Sequence, residues 1–316
     1  MQFPLIHLVL FVLTFVTTSV AGAFAEGANP FADPATIRAG FPFSIVLMTI
    51  LLSHEMGHYC LSRYHRVPVS LPYFLPGFPV FVGTFGAFIR LRRLPATRRA
   101  LFDIGAAGPW AGVAVAVPAI VWGLALSEVR PLDHASGLIR GDTVQFLFEG
   151  GMVFGDSILF SLLTHWTLGA PPAAVAMHPI AFAGWFGLFM TFLNLLPVGQ
   201  LDGGHVVYAL FGRRHRLISR VALVLLLALG FWGRYEGWFI FAIAVSFLGV
   251  DHPPTADPDT PLDPKRRVLG WLTLAVFALT FMRVPVDVVR APTEFEQSPV
   301  EVRNGEPAIA RPAAAG

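Results

Sequence analysis

Cysteine is nearly missing from this 316-residue chain: Cys60 stands alone, so no intramolecular disulfide can form and a Cys-rich zinc module is excluded. Charge is scarce as well. Only 13% of the residues are Asp, Glu, Lys or Arg, and a formal balance of +2 is too small to argue for a nucleic-acid partner. What fills the chain instead is apolar: 55% of residues are hydrophobic and the mean hydropathy is +0.64, well beyond a soluble domain of ordinary surface. Such a composition belongs in a lipid bilayer.

A bilayer core of roughly 30 Å takes about 20 apolar helical residues to cross. Runs of this kind predict spanning helices near Leu5–Ala21, Phe43–Leu61, Phe102–Leu126, Pro179–Leu196, Leu217–Phe231, Trp238–Val250 and Val268–Met282. The expected fold class is all-α and polytopic, with about seven transmembrane helices. The first run also reads as a signal peptide, because Ala21, Ala23 and Ala25 resemble a cleavage site. No Lys or Arg precedes it, however, which favours a retained helix. Basic residues gather after the second run (Arg63, Arg66, Arg90, Arg92, Arg93, Arg98, Arg99), the fourth (Arg213, Arg214, Arg216) and the sixth (Lys265, Arg266, Arg267). This alternation predicts a cytoplasmic amino terminus and an outer carboxyl terminus. The Pro/Ala-rich tail lacks a periodic apolar pattern and is expected to be disordered.

Two loops depart from the helical pattern. Ser70–Arg93 alternates aromatic and small residues around a turn signal at Pro76–Gly77, which predicts a β-hairpin lying at the membrane; the alternative is an ordinary greasy loop. Thr143–Leu168 is apolar enough to suggest an eighth span but carries Glu149, Asp156 and His165.

The second run holds His54-Glu55-Met56-Gly57-His58, an H-E-x-x-H spacing. Positions i and i+4 share one helix face, so both imidazoles can ligate one Zn²⁺ while Glu55 projects beside the open coordination position as a general base. Each ionisable group in a bilayer costs at least about 2.5 kcal/mol on insertion scales, so three within five residues need a compensating partner. A polar helix end at the interface is the plainer alternative. A catalytic zinc takes three protein ligands and a water, and Asp202 in Asn194-Leu195-Leu196-Pro197…Leu201-Asp202-Gly203-Gly204-His205 is the candidate third ligand, with His205 as its rival. Pro197 and the glycines break the fourth helix, and irregular backbone at membrane depth is tolerated where it lines a polar cavity.

Depth supports the pairing. At 1.5 Å per residue, Pro42 to His54 covers roughly 18 Å and Ile180 to Asn194 roughly 21 Å. The two reach the same level from the same side only if Thr143–Leu168 does not cross, so a non-spanning or re-entrant segment is expected there.

His54-Glu55-Met56-Gly57-His58, followed by Asn194-Leu195-Leu196-Pro197 and Leu201-Asp202-Gly203, resembles the site-2 protease family of intramembrane zinc metalloproteases, peptidase family M50. Gly83-Thr84-Phe85-Gly86-Ala87 and His252-Pro253-Pro254-Thr255 most resemble its compact bacterial and chloroplast-type branch, over roughly Ser44 to Gly270. The resemblance implies one zinc ion on His54, His58 and Asp202, Glu55 as catalytic residue, and substrate contacts at Asn194 and at Gly83, Phe85 and Gly86 of the hairpin. It implies hydrolysis of transmembrane protein substrates within a lipid bilayer, here expected to be a bacterial plasma membrane. Val129–His178 is too short for the PDZ domain some relatives carry. The expected division is a first helix and outer loop (1–42), the protease core (43–250), a cytoplasmic linker and last helix (251–284) and the tail (285–316). A metal-dependent membrane chaperone or pseudoprotease would not need Glu55, and a metal transporter would show more ionisable residues along its spans. His65, His165 and His178 read as interfacial or surface residues, while His252 has no evident role.

Overall fold

The computed structural model describes residues 5–79, 82–129, 150–171, 175–233, 235–257 and 260–290. Among them the helices are α1 (Leu5–Ala25), α2 (Phe41–Tyr64), α3 (Arg98–Ala125), α4 (Ile158–Leu168), α5 (Pro179–Asn194), α6 (Asp202–Phe211), α7 (His215–Trp232), α8 (Gly237–Leu248) and α9 (Pro264–Thr280). Short strands form three antiparallel pairs: β1 (Tyr73–Pro76) with β2 (Thr84–Phe88), β3 (Glu128–Val129) with β5 (Val175–Ala176), and β4 (Gly150–Phe154) with β6 (Val286–Arg290).

Each of the seven expected runs falls on a helix, but fewer qualify as crossings. Leu5–Ala25, Pro34–Tyr64, Arg98–Ala125 and Asp202–Trp232 are long and apolar enough to span a bilayer. At 16, 12 and 17 residues, α5, α8 and α9 fall short of the usual length. The run expected from Leu217 also begins earlier, since α6 leads into α7 through a 3-10 turn at Gly212–Arg214. Helix α5 stops at Asn194, before the expected Leu196, because Pro197 disfavours helical backbone in the residue ahead of it.

Helices α2, α3 and α5 enclose the main core, with Phe43, Leu47, Ile120, Leu124, Trp185 and Leu188 almost fully buried. Helix α3 runs antiparallel to both neighbours: Gly108 in its first half lies against His58 near the end of α2, and Gly123 near its end lies against Ala181 at the start of α5. A Cβ on Gly123 would fall 2.1 Å from the Ala181 nitrogen. Lipid is as apolar as leucine, so such close backbone approach, rather than hydrophobic burial, is what favours this packing in a bilayer. It leaves α2 and α5 pointing the same way.

The described part of Thr143–Leu168 does not form a span. It holds β4 and the 11-residue α4, about 16 Å of helix, which starts at the Ser157 cap and ends at left-handed Gly169. Residues 143–149 lie outside the described set. Part of the stretch expected as disordered tail is a strand: Val286–Arg290 pairs along the whole of β4, and its β-branched Val-Asp-Val-Val run suits a strand despite the Pro/Ala-rich surroundings. Residues 291–316 lie outside the described set.

The expected hairpin is present. Tyr73, Phe74 and Leu75 pair with Phe88, Ala87 and Gly86, the register shifts before Pro76–Thr84, and a Val69–Leu91 bridge extends the ladder. Its loop is longer than the Pro76–Gly77 turn signal indicates, closing where the Gly77 N–H donates to the Gly83 carbonyl at 2.9 Å. Helix α1 carries the hairpin. Thr17 Oγ1 donates to the Gly83 carbonyl at 2.6 Å, His7 Nδ1 lies 3.0 Å from the Pro72 carbonyl, and Phe11 meets Phe74 edge-on.

Candidate metal centre

His54 and His58 lie one turn apart on α2, both buried, and Asp202 opens α6 opposite them. His54 Nε2 is 3.0 Å from His58 Nε2, and Asp202 Oδ2 is 3.1 Å from the first and 3.2 Å from the second. Tetrahedral ligands about 2.0–2.1 Å from zinc stand roughly 3.3 Å apart, so this triangle fits one such ion with a fourth position open. The donor set, two imidazoles and a carboxylate, suits zinc as well.

Each ligand is held by an identifiable feature of the chain. His58 Nδ1 donates to the Ile104 carbonyl at 2.7 Å, which leaves the Nε2 lone pair free for a metal. Gly108 leaves room for that ring, since a Cβ there would lie 2.1 Å from His58 Nε2, and Gly112 sits against His54 in the same way at 3.3 Å. Asp202 is delivered by the break after α5. Gly199 adopts φ +55°, and a Cβ on Gly203 would fall 1.9 Å from the Leu195 carbonyl oxygen, so the chain folds back tightly enough to start α6 at the site. Asn194, the last residue of α5, places its side-chain nitrogen 3.3 Å from His54 Nε2. The α2 and α5 levels therefore coincide.

A cavity of about 220 Å³ opens onto these groups. Glu55, Asn194, Gln200 and His205 line it on the helical side and Ala87, Phe88, Ile89 and Leu91 on the hairpin side. Glu55 is only 5% exposed, and it shares the cavity with the Ile89 backbone.

The expected residues divide accordingly. His54, Glu55, His58, Asn194 and Asp202 converge. Of the hairpin positions, Gly83 faces Thr17 of α1, Phe85 is 64% exposed and Gly86 abuts Met190, so none lines the cavity; the following residues, Ala87 to Ile89, do. Alternation within the strand could not reveal this, because the side of the hairpin facing α2 is set by its anchorage on α1. His205 does not join the group of mutually close ligand atoms, and its Nδ1 pairs with His252 at 2.7 Å. His65 pairs with Asp103 at 2.8 Å, and His178 caps α5. Gly105, Gly108 and Gly112 of α3 were not singled out in the sequence, although small residues at that spacing inside an apolar span signal close helix contact.

A His-His-Asp cluster with both histidines buried, beside a glutamate and inside an apolar helical bundle, has the form of an H-E-x-x-H metal site in a membrane protein. The chain belongs to peptidase family M50, whose family model matches residues 42–231. It is 30% identical over 304 residues to "Probable zinc metalloprotease EGY1, chloroplastic" of Arabidopsis thaliana, covering 88% of this chain and 53% of that protein. The protein of the same name from Oryza sativa subsp. japonica is 37% identical over 180 residues, covering 56% of this chain and 29% of its own. "Probable zinc metalloprotease EGY2, chloroplastic" of Arabidopsis thaliana is 24% identical over 278 residues, covering 86% and 47%. The chain thus spans about half the length, or less, of these curated relatives, and their chloroplast names give no support to the expected bacterial membrane. No solved structure matches the chain.

Proposed function

We propose that this chain is a zinc metalloendopeptidase that hydrolyses peptide bonds of transmembrane substrates within or beside the bilayer, as in regulated intramembrane proteolysis. One zinc ion is held by His54, His58 and Asp202. The observation that carries the proposal is the convergence on one cavity of the three candidate ligand atoms, Glu55 and a β-strand edge with no strand partner among the described residues. When bound, zinc supplies Lewis acidity, drawing electron density from a peptide carbonyl and from water.

The remaining work falls to the chain. Glu55 takes the proton of the attacking water and returns it to the leaving amine. A helical substrate hides its carbonyls in its own hydrogen bonds and must unwind first. Strand β2 pairs only with β1 among the described residues, so its other edge can accept the unwound segment as an added strand, with Ala87 to Ile89 at the cavity. Asn194 stands ready to hydrogen-bond that segment beside His54. With α5, α8 and α9 completing seven crossings, the basic loops put the amino terminus in the cytoplasm.

Trapping tests the proposal. A transmembrane client incubated with wild type is cleaved, whereas with Glu55→Gln it accumulates uncut on the protein. Capture without cleavage by both would show a binding protein instead.

A further inference from the structure

His252 lies outside the ligand set, yet its imidazole is held on three sides. Its face stacks on Tyr208 with centroids 4.4 Å apart and an interplanar angle of 17°; its Nδ1 is 2.6 Å from the Pro253 carbonyl; its Nε2 is 2.7 Å from His205 Nδ1. The loop that carries it is fixed as well. His252 and Pro253 each precede a proline and are restricted to extended backbone. Ser219 Oγ donates to the Val250 carbonyl at 2.6 Å and itself accepts the Gly199 N–H at 3.0 Å. The His252 loop is thereby tied to the segment that delivers Asp202.

These contacts dictate where the ring protons sit. A carbonyl oxygen only accepts, so His252 Nδ1 carries a proton. Burial pushes the His252 pKa down, which keeps the ring neutral, so its Nε2 is an acceptor. The hydrogen in the 2.7 Å contact therefore belongs to His205 Nδ1. In a neutral His205 the other nitrogen, Nε2, is left with a free lone pair. His205 lines the cavity shared by Glu55, Asn194 and the metal-binding residues, one turn beyond Asp202 on α6, without belonging to the ligand group.

We propose that His252 is a positioning residue that fixes the tautomer of His205, so that His205 Nε2 meets the substrate as a hydrogen-bond acceptor for a peptide N–H. The proposal rests on the protease function above and assigns a substrate contact within it. Tyr208 contributes by holding the His252 ring plane, and the Pro253 carbonyl by setting its tautomer.

Nitrogen NMR of the full-length, zinc-loaded protein with ¹⁵N-labelled histidine reads the tautomer without any catalysis, and the His205 signals are assigned by their loss in His205→Gln. The expected wild-type state is His205 protonated at Nδ1. His252→Leu removes the acceptor and shifts His205 towards the Nε2–H form, while His252→Gln, whose side-chain oxygen still accepts, preserves the wild-type spectrum and stands in if the leucine variant does not fold. In cleavage assays His252→Leu raises KM roughly tenfold with a smaller effect on kcat, and His252→Gln restores it. All variants, including His205→Gln, keep about one zinc per chain. His205 protonated at Nε2 in wild type, a tautomer indifferent to His252→Leu, or zinc loss in His205→Gln would each overturn the proposal. Wild type that shows the expected tautomer yet cleaves nothing would instead count against the protease function.

Discussion

Ile89 at the end of the hairpin and Glu55 of the H-E-x-x-H helix line the same cavity, with the Ile89 backbone beside the Glu55 carboxylate. The strand edge proposed to receive substrate and the glutamate proposed to handle the proton thus meet at one cavity. A shift of the hairpin on α1 would be felt at Glu55.

One substitution tests that proximity. Ile89→Pro removes the backbone N–H beside the carboxylate, and losing a donor to a charged group costs about 1.5–3 kcal/mol. Cleavage should fall roughly 10- to 100-fold while zinc content holds, and Ile89→Val, which keeps the N–H, should stay near wild type. Zinc analysis beside initial cleavage rates checks this. Equal loss in both variants would assign the effect to side-chain packing.

Gly108 offers a test of the metal centre from the opposite wall. An alanine Cβ would sit 2.1 Å from His58 Nε2, so Gly108→Ala must displace the ring from its bond to Ile104. Zinc affinity, titrated against a competing chelator, should drop about 10- to 100-fold, as expected when the support of a ligand is disturbed. Gly123→Ala, which crowds Ala181 near the far end of α3, should lower thermal stability with no selective change in zinc affinity.

A third prediction concerns the basic face. Arg266 grips Asp103 through two bonds of 2.7 Å and Asp263 through one of 2.6 Å, tying the start of α9 to α3, and His65 at the end of α2 joins at Asp103. The hydrogen bond from Arg266 holds the Asp263 carboxyl below its usual pKa of 3.8. A depressed folded pKa gives stability that is present above the unfolded value and lost as pH falls through the folded one. Thermal stability should therefore decline as pH drops below about 3.8, and Asp263→Asn should remove part of that decline. Asp103→Asn should be more damaging at neutral pH, because it leaves the partly buried Arg266 with a weaker partner.

Much of this was legible in the sequence because the signals were local. Seven apolar runs marked seven helices, and the i, i+4 spacing of His54 and His58 fixed their shared face before any tertiary contact was considered. Helix-breaking chemistry around Pro197 and Gly203 marked the segment, and the family resemblance, rather than local chemistry, favoured Asp202 over His205 within it. What stayed hidden depends on contacts between distant segments. The side of the hairpin that meets Glu55 is decided by Thr17 and His7 on α1; the partner of His252 is decided by a loop 47 residues from His205. The lengths of the shorter helices were hidden for a different reason: apolar content marks α5 and α8 clearly, but only their ends, set by Pro197 and by Gly249, show how short they are.

The most direct test of the central claim is zinc content measured beside cleavage of a model transmembrane substrate, for wild type, Glu55→Gln and Asp202→Ala. The account predicts about one zinc per chain and cleavage in wild type, zinc without cleavage in Glu55→Gln, and weakened zinc without cleavage in Asp202→Ala. Wild-type protein that cleaves while binding no metal, or a Glu55→Gln variant that cleaves at the wild-type rate, would contradict it.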